Sequence, residues 1–338
     1  MNWIVRLARV SSLLGALLVG SATGAWATEP LKIRMSWVIA PGELAPILFA
    51  RPGLARHEGI SYTVEPIHFG GGPLSIPAIA KGEIDIGGLG YATIAAAIQG
   101  AGIDDLVGIG DVSQDGVPGW YSVEYMVLKD GAIRSVEDLR GKTLGVNTVV
   151  SRVDLGQRQM LRQHRIDDRK EVTIIEVASP NMKAALAARK ADMVGVIAAI
   201  GADRELRAFA RPLFTAAEAI GVTQISALVA RASFLKQNRA AVVDLLEDTI
   251  RITRWYIDPA NHDAAAKIVA DFNKQPVERA AWAFTRGDQY RSPDVLPNVD
   301  ALQRNVDLLW KLGFLKAQLD MSQHTDLSLV REAAARIH

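Results

Sequence analysis

Cysteine is absent from all 338 residues, and that absence excludes structural disulfides, a cysteine nucleophile, thiolate metal sites and an acylated cysteine. A surplus of positive charge is also missing. With 38 Lys and Arg against 37 Asp and Glu, nothing is left over to neutralise a phosphate backbone, so nucleic acid is not an expected partner. The six histidines form no H-x-x-x-H pair, and neither a metal nor another cofactor is expected. Arg140-Gly141-Lys142-Thr143 ends like a phosphate loop, but Val136 stands where the loop needs its first glycine. Gly108-Ile109-Gly110 is followed by Ser113 where a dinucleotide fingerprint needs a small Gly or Ala. No G-x-S-x-G elbow occurs, and no pair of carboxylates has a context that assigns acid and base roles. Aromatic residues, at 6%, supply few stacking surfaces. What remains reads as a binding protein rather than an enzyme.

What is present suits a folded chain. Apolar residues make up 49% and charged residues 22%, close to the average for globular domains, and the length fits two domains of ordinary size. The first 27 residues stand apart: Arg6 and Arg9 lead, an apolar run follows from Ser11 to Ala25, and Ala25-Trp26-Ala27 has the A-x-A cleavage pattern. The run falls short of the ~20 residues that span a bilayer, so residues 1–27 read as a secretory signal peptide. Cleavage removes Arg6 and Arg9, leaving 36 basic against 37 acidic residues and a net charge of −1. Without a cysteine to acylate, the product is expected to be free in the periplasm.

Strand and helix patterns alternate along the rest. LKIRMSW (31–37) alternates apolar and polar residues at period two and reads as a strand. A helix over 43–50, the strand YTVEPIHF, a helix over 73–81, the strand IDIGG, a helix over 91–99 and strands near 106–111 and 123–128 follow. A second block repeats that order, from a short helix over 135–139 through TLGVN, a helix over 152–164, VTIIEVA, a helix over 182–190 and MVGVIAA. Ile79-Ala80 and Asp85 match Leu186-Ala187 and Asp192 at a constant offset of 107 positions, which suggests two related lobes. After the strand QISALVA the chain is mostly helical, with helices expected over 263–272, 277–287, 299–312 and 326–337. The order implies an α/β fold with mostly parallel sheets.

Two motifs carry a resemblance. The run FGGGPLSIPAIAKGEIDIGGLG (69–90) sets glycines before a helix and after the next strand, and SVEDLRGKTLGV (135–146) opens the second block. Together they resemble the periplasmic solute-binding proteins of ABC importers, of the nitrate/sulfonate/taurine (SsuA/TauA/NMT1-like) type, over residues 30 to about 315. The resemblance implies a two-lobed periplasmic-binding-protein fold of type II, each lobe a mostly parallel sheet flanked by helices, with the ligand in the cleft between them. Lobe one is expected over 28–130 and again over 221–338, and lobe two over 131–220. The implied activity is capture of a small organic anion, sulfonate-like first, by hinge closure and delivery to a membrane permease by a monomer. An aromatic carboxylate or thiamine-pyrimidine-like ligand, a sensor role, and an enzyme of the thiamine-precursor synthase type are the alternatives.

On that reading Gly70, Gly71 and Gly72 bring bare backbone to a helix N-terminus, where amides and the helix dipole favour anions, and Leu74 and Ser75 supply further amides. Ser36 and Trp37 end strand one, with Trp37 either walling the ligand or lying in the core. Gly90 and Tyr91 begin the next helix. In lobe two, Asn147, Ser151 and Arg152 link a strand to a helix. Ser151 either caps that helix or binds the anion, and Arg152 offers a planar fork to a sulfonate or carboxylate. Asn181 and Gln224 complete the expected contacts. Arg189 and the missing proline in VIAAIGAD depart from the family pattern in lobe two.

Overall fold

The computed structural model describes residues 29–337, so the expected signal peptide lies outside the described residues. In chain order the strands are β1 (Leu31–Trp37), β2 (Tyr62–His68), β3 (Ile86–Gly90), β4 (Leu106–Asp115), β5 (Glu124–Leu128), β6 (Thr143–Val146), β7 (Thr173–Glu176), β8 (Met193–Val196), β9 (Ala210–Thr215) and β10 (Thr223–Arg231). The helices are α1 (Gly72–Ala80), α2 (Tyr91–Gln99), α3 (Arg152–Gln163), α4 (Met182–Ala187), α5 (Ala198–Gly201), α6 (Arg204–Phe209), α7 (Ala216–Ile220), α8 (Ala232–Ile257), α9 (His262–Asn273), α10 (Val299–Lys311) and α11 (Ser328–Ala335). Two five-stranded sheets result, in the orders β2-β1-β3-β10-β4 and β7-β6-β8-β5-β9. Each has three parallel strands, then one antiparallel strand that enters from the other lobe, then an outer strand. This is the two-lobed type II architecture.

The sheet changes earlier than the expected boundary at residue 130. β5 pairs with β8 and β9, so the first crossover lies in residues 116–123 and β5 belongs to the second sheet. A local pattern identifies a strand but not partners that arrive far later in the chain. The return crossover follows α7, and the two meet: a Cβ on Gly116 (φ 74°) would lie 2.8 Å from the Gly221 carbonyl oxygen. Only glycine combines that backbone angle with that approach.

The internal repeat has a structural cause. The Asp85 amide donates to the Arg34 carbonyl (3.0 Å) while its carboxylate accepts from the Arg34 amide (2.8 Å). Asp192 repeats this on Thr143, at 2.7 and 2.9 Å. Each aspartate ties the entry of its lobe's third parallel strand to the first. The preceding turn needs a left-handed residue, which is Gly82 (φ 70°) in lobe one and Arg189 (φ 54°) in lobe two. The departure at Arg189 therefore keeps the backbone path and leaves the strain of a side chain in a conformation that favours glycine.

Both faces of each sheet are covered. Ile33, Tyr62, Leu246, Ile250 and Tyr256 join β1 and β2 to α8 on one face of the first sheet, and Leu89, Ile94, Val229 and Val306 join β3 and β10 to α2 and α10 on the other. Val153, Leu161 and Tyr125 pack α3 on the second sheet, with Met182, Leu186 and Val194 behind it. Two expected helices are absent. Residues 43–50 hold only a turn over Ala45–Ile47, because Pro46 removes a donor and Glu43 folds back on the preceding loop. Residues 277–287 hold a turn over Val277–Arg279, and Phe284 at φ 61° ends any helical path.

Asp111, on β4, gives the fold a pH signature. Its carboxylate is buried and accepts from Gln224 Nε2 (2.6 Å), Gln114 Nε2 (3.3 Å) and the Ser292 amide (2.8 Å). Burial outweighs these donors and pushes its pKa up from 3.8 to about 6. Below pH 4 its contribution to stability is full, and it is lost as pH rises through 6. The stability of the protein relative to Asp111→Asn is expected to fall by about 1 kcal/mol between pH 5 and pH 7 in urea titrations. A difference that stays flat across that range would show that the buried acid ionises normally.

Candidate functional site

A cleft of about 540 Å³ opens between the lobes. Three helices present their first residues to it: α1 through Gly72 and Pro73, α2 through Gly90 to Thr93, and α3 through Ser151 and Arg152. Neither α1 nor α2 has a side-chain cap, since Gly71 and Gly90 occupy the cap positions. In α1, Pro73 has no amide hydrogen and the Leu74 amide is engaged by the Gly71 carbonyl, so Gly72 alone offers a leading amide there, whereas the first turn of α2 depends on water or a ligand for partners; both dipoles favour negative charge. α3 is capped, because Ser151 Oγ accepts from the Asp154 amide (3.3 Å) while donating to Asn147 Oδ1 (2.8 Å). Val150, which lines the cleft just before that cap, sits at φ 65°. A β-branched residue there is strained, which fixes the approach of the loop to the cleft.

Arg152 is the cation of the site. Its guanidinium is largely buried, with Nη1 3.7 Å from Asp115 Oδ2. The Gln289 carboxamide, oxygen inward, accepts from both Nη1 and Nη2. Asp115 Oδ2 also accepts from the Val123 amide (3.1 Å), while Asp115 Oδ1 and the Tyr91 hydroxyl are buried without a partner. Burial raises the pKa of Tyr91, so it stays a neutral donor. Ser113 and Ser226 set their hydroxyls 3.3 Å apart on β4 and β10, also on the cleft. Around these polar groups the lining is apolar, from Val38, Ile39, Ala92, Ala96, Val149 and Ile225. Such a site holds a compact polar head and an apolar body.

Of the positions expected from the sequence, Gly72, Gly90, Tyr91, Asn147, Ser151 and Arg152 come together on this cleft. The others do not line it. Ser36 points into a separate buried cavity of about 30 Å³. Trp37 packs its half-buried ring on the exposed His68 (centroids 4.5 Å apart) and edgewise on the exposed Phe272 (5.5 Å), so it sits in an aromatic cluster away from the cleft. Gly70 and Gly71 precede the rim. The Leu74 amide bonds the Gly71 carbonyl (3.1 Å) and its side chain is 64% exposed. Ser75 Oγ donates to the Gly72 carbonyl. Asn181 is exposed and makes no cap bond. Gln224 is fully buried, and every polar atom of its side chain is engaged within the protein. The glycine that does matter for packing is Gly72, where a Cβ would come within 3.0 Å of Thr93 Oγ1.

Sequence reasoning did not single out Glu43, Ser113, Asp115, Ser226 or Gln289, which come from β4, β10 and two loops and form no local motif. A second group of donor atoms also escaped the histidine-pair criterion. His57, Asp244 and Glu247 bring one each within 4.8 Å, although Arg336 and Arg251 already pair with the two carboxylates. Among the described residues no helix is long and apolar enough to cross a membrane.

The profile of the NMT1-like family matches residues 26–270. Among solved structures, the alkanesulfonate-binding protein SsuA from Xanthomonas axonopodis pv. citri bound to MOPS is similar at 20% identity and TM-score 0.67, over 89% of this chain and 100% of that one. The periplasmic aliphatic sulphonate binding protein SsuA from Escherichia coli is similar at 17% identity and TM-score 0.70, over 87% and 92%. The periplasmic nitrate-binding protein NrtA from Synechocystis PCC 6803 is similar at 15% identity and TM-score 0.67, over 92% and 90%. No curated protein matches the chain. At these identities the structural likeness is one of fold.

Proposed function

Because the chain belongs to the NMT1-like family, we propose that it is the periplasmic substrate-binding component of an ABC importer that captures a small organic anion between its lobes. The observation that carries this reading is the convergence of two uncapped helix N-termini and the Arg152 guanidinium on one interlobe cleft. The apolar lining favours an anion with a carbon body over a bare inorganic ion, and a sulfonate fits first. Contacts come from both lobes, Gly72 and Tyr91 on one side and Asn147 and Arg152 on the other, so binding draws the lobes together about the crossovers at Gly116 and Gly221. In this role the protein needs no covalent chemistry. It is exported through a cleaved signal peptide, acts as a monomer, and hands its ligand to a membrane permease.

Native mass spectrometry of residues 28–338, with a panel of alkanesulfonates, carboxylates and nitrate, tests the proposal. One small anion bound per chain, with a rise in melting temperature of at least several degrees at saturation, is the expected result. A protein that stays empty and unshifted throughout the panel refutes it. Loss of uptake of the same anion on deletion tests the transport role.

A further inference from the structure

Gln289 holds the group that an anion in the cleft needs. Arg152 opens α3, which packs on the second sheet, whereas Gln289 comes from a segment laid along β4 of the first. There the Gln114 amide donates to the Tyr290 carbonyl (2.8 Å), the Tyr290 amide donates to the Gln114 carbonyl (3.1 Å) and the Ser292 amide donates to Asp111 Oδ2 (2.8 Å). The buried ion pair of Asp288 with Arg291 (2.8 Å) braces the segment from inside, and the Gln289 amide itself donates to Asp288 Oδ1 (2.7 Å). The side chain of Gln289 thus reaches the cleft from a fixed mount in one lobe and meets a guanidinium of the other.

The contact takes the useful part of that guanidinium. The carboxamide oxygen accepts from both Nη1 and Nη2 of Arg152, and Nη2 belongs to both edges by which an arginine meets two oxygens at once, Nη1–Nη2 and Nε–Nη2. Neither edge is whole while Gln289 is on it. The floor is nevertheless incomplete, because the buried Tyr91 hydroxyl, on the same cleft, has no acceptor. One tethered amide oxygen satisfies Arg152 and leaves Tyr91 unanswered; an anion with two or three oxygens can answer both. We infer that Gln289 is a tethered stand-in for the ligand's oxyanion, which the ligand displaces from Arg152, and that it selects for negative charge. An uncharged ligand offers Arg152 only the bond that the amide already makes at high local concentration. A sulfonate or carboxylate adds a full charge to that bond and wins the exchange.

The inference rests on the anion reading above, and the sign of one substitution separates the two. Titration calorimetry uses ethane-, propane- and butanesulfonate and the carboxylates of the same chain lengths, on the unaltered protein, Gln289→Ala and Gln289→Glu. A contact formed in about nine molecules of ten lowers apparent affinity about tenfold, so Gln289→Ala is expected to bind about tenfold more tightly. Its ligand-free melting temperature should fall at the same time, since Arg152 loses an acceptor. Gln289→Glu tethers a carboxylate of the same shape, and its affinity should fall about 100-fold or more. A gain below threefold in Gln289→Ala, or a loss, overturns this inference and leaves the anion reading standing, as does binding by Gln289→Glu within threefold of the unaltered protein. If none of these anions binds any of the three proteins and the wider panel also fails, both readings fall. If the alanine variant does not fold, Gln289→Asn, which draws the oxygen back by one carbon, is held to the same sign.

Discussion

On the proposed reading, Arg152→Gln is expected to lower affinity for the anion about 100-fold or more, and Arg152→Lys by about tenfold. The guanidinium is the cation that the cleft offers, and it is largely desolvated beside Asp115 and Gln289. Truncating one partner of a desolvated, hydrogen-bonded charge pair typically costs about 2–5 kcal/mol, and each 1.4 kcal/mol is about tenfold in affinity. Lysine keeps the charge but loses the planar fork that meets two oxygens at once, so it recovers part of the binding. Calorimetry on the three proteins with the anion found by mass spectrometry provides the check. Affinity unchanged in Arg152→Gln would mean that the helix N-termini hold the anion unaided and that Arg152 serves Asp115 alone.

The contrast between Arg152 and the positions that miss the cleft marks how far the sequence could be read. Period-two alternation in LKIRMSW, the glycine-edged ends of β3 and the repeat of Asp85 at Asp192 are local signals, and each has a local cause in the structure. They were enough to recover two lobes and the ends of strands that face the cleft. Arg152 was legible because it begins a helix directly after a strand, where ligands of α/β sheets gather. Trp37 also ends a strand, but its ring is claimed by His68 and by Phe272, the latter from a helix more than two hundred residues later. No local pattern carries that information.

The same reasoning explains Glu43, Asp115 and Gln289. Asp115 ends β4 at the first crossover and Gln289 comes from the long C-terminal return, so their meeting at Arg152 is a product of the chain passing twice between the lobes. Glu43 stands in a stretch whose composition reads as helix; only its bond to the Val38 amide shows that it turns back. Side chains that gain their role from long-range convergence are the ones a single sequence does not display. The strand β5 is the backbone counterpart, since its partners β8 and β9 determine its lobe.

Gln224 supplies the sharpest test of that distinction, because the sequence points to ligand contact and the structure to stability. Its side-chain Nε2 donates to Asp111 Oδ1 (2.6 Å) and the Ser226 carbonyl (2.8 Å), and its Oε1 accepts from the Asn298 amide (2.7 Å), the cap residue of α10. Its own amide donates to Asn305 Oδ1 (3.0 Å) on the same helix. Truncation to alanine leaves a buried carboxylate without its shortest bond and a helix-start amide without an acceptor. Each orphaned group costs about 1–3 kcal/mol, more where it is charged, so a total loss of about 3–5 kcal/mol is expected. At roughly 2–4 °C per kcal/mol for a chain of this size class, the melting temperature should fall by about 10 °C. Anion affinity, measured well below that temperature, should stay within threefold of the unaltered protein, since the side chain does not line the cleft. A variant that melts normally but binds at least tenfold more weakly would place Gln224 on the ligand after all, and would require β10 to turn its buried face toward the cleft when the lobes close.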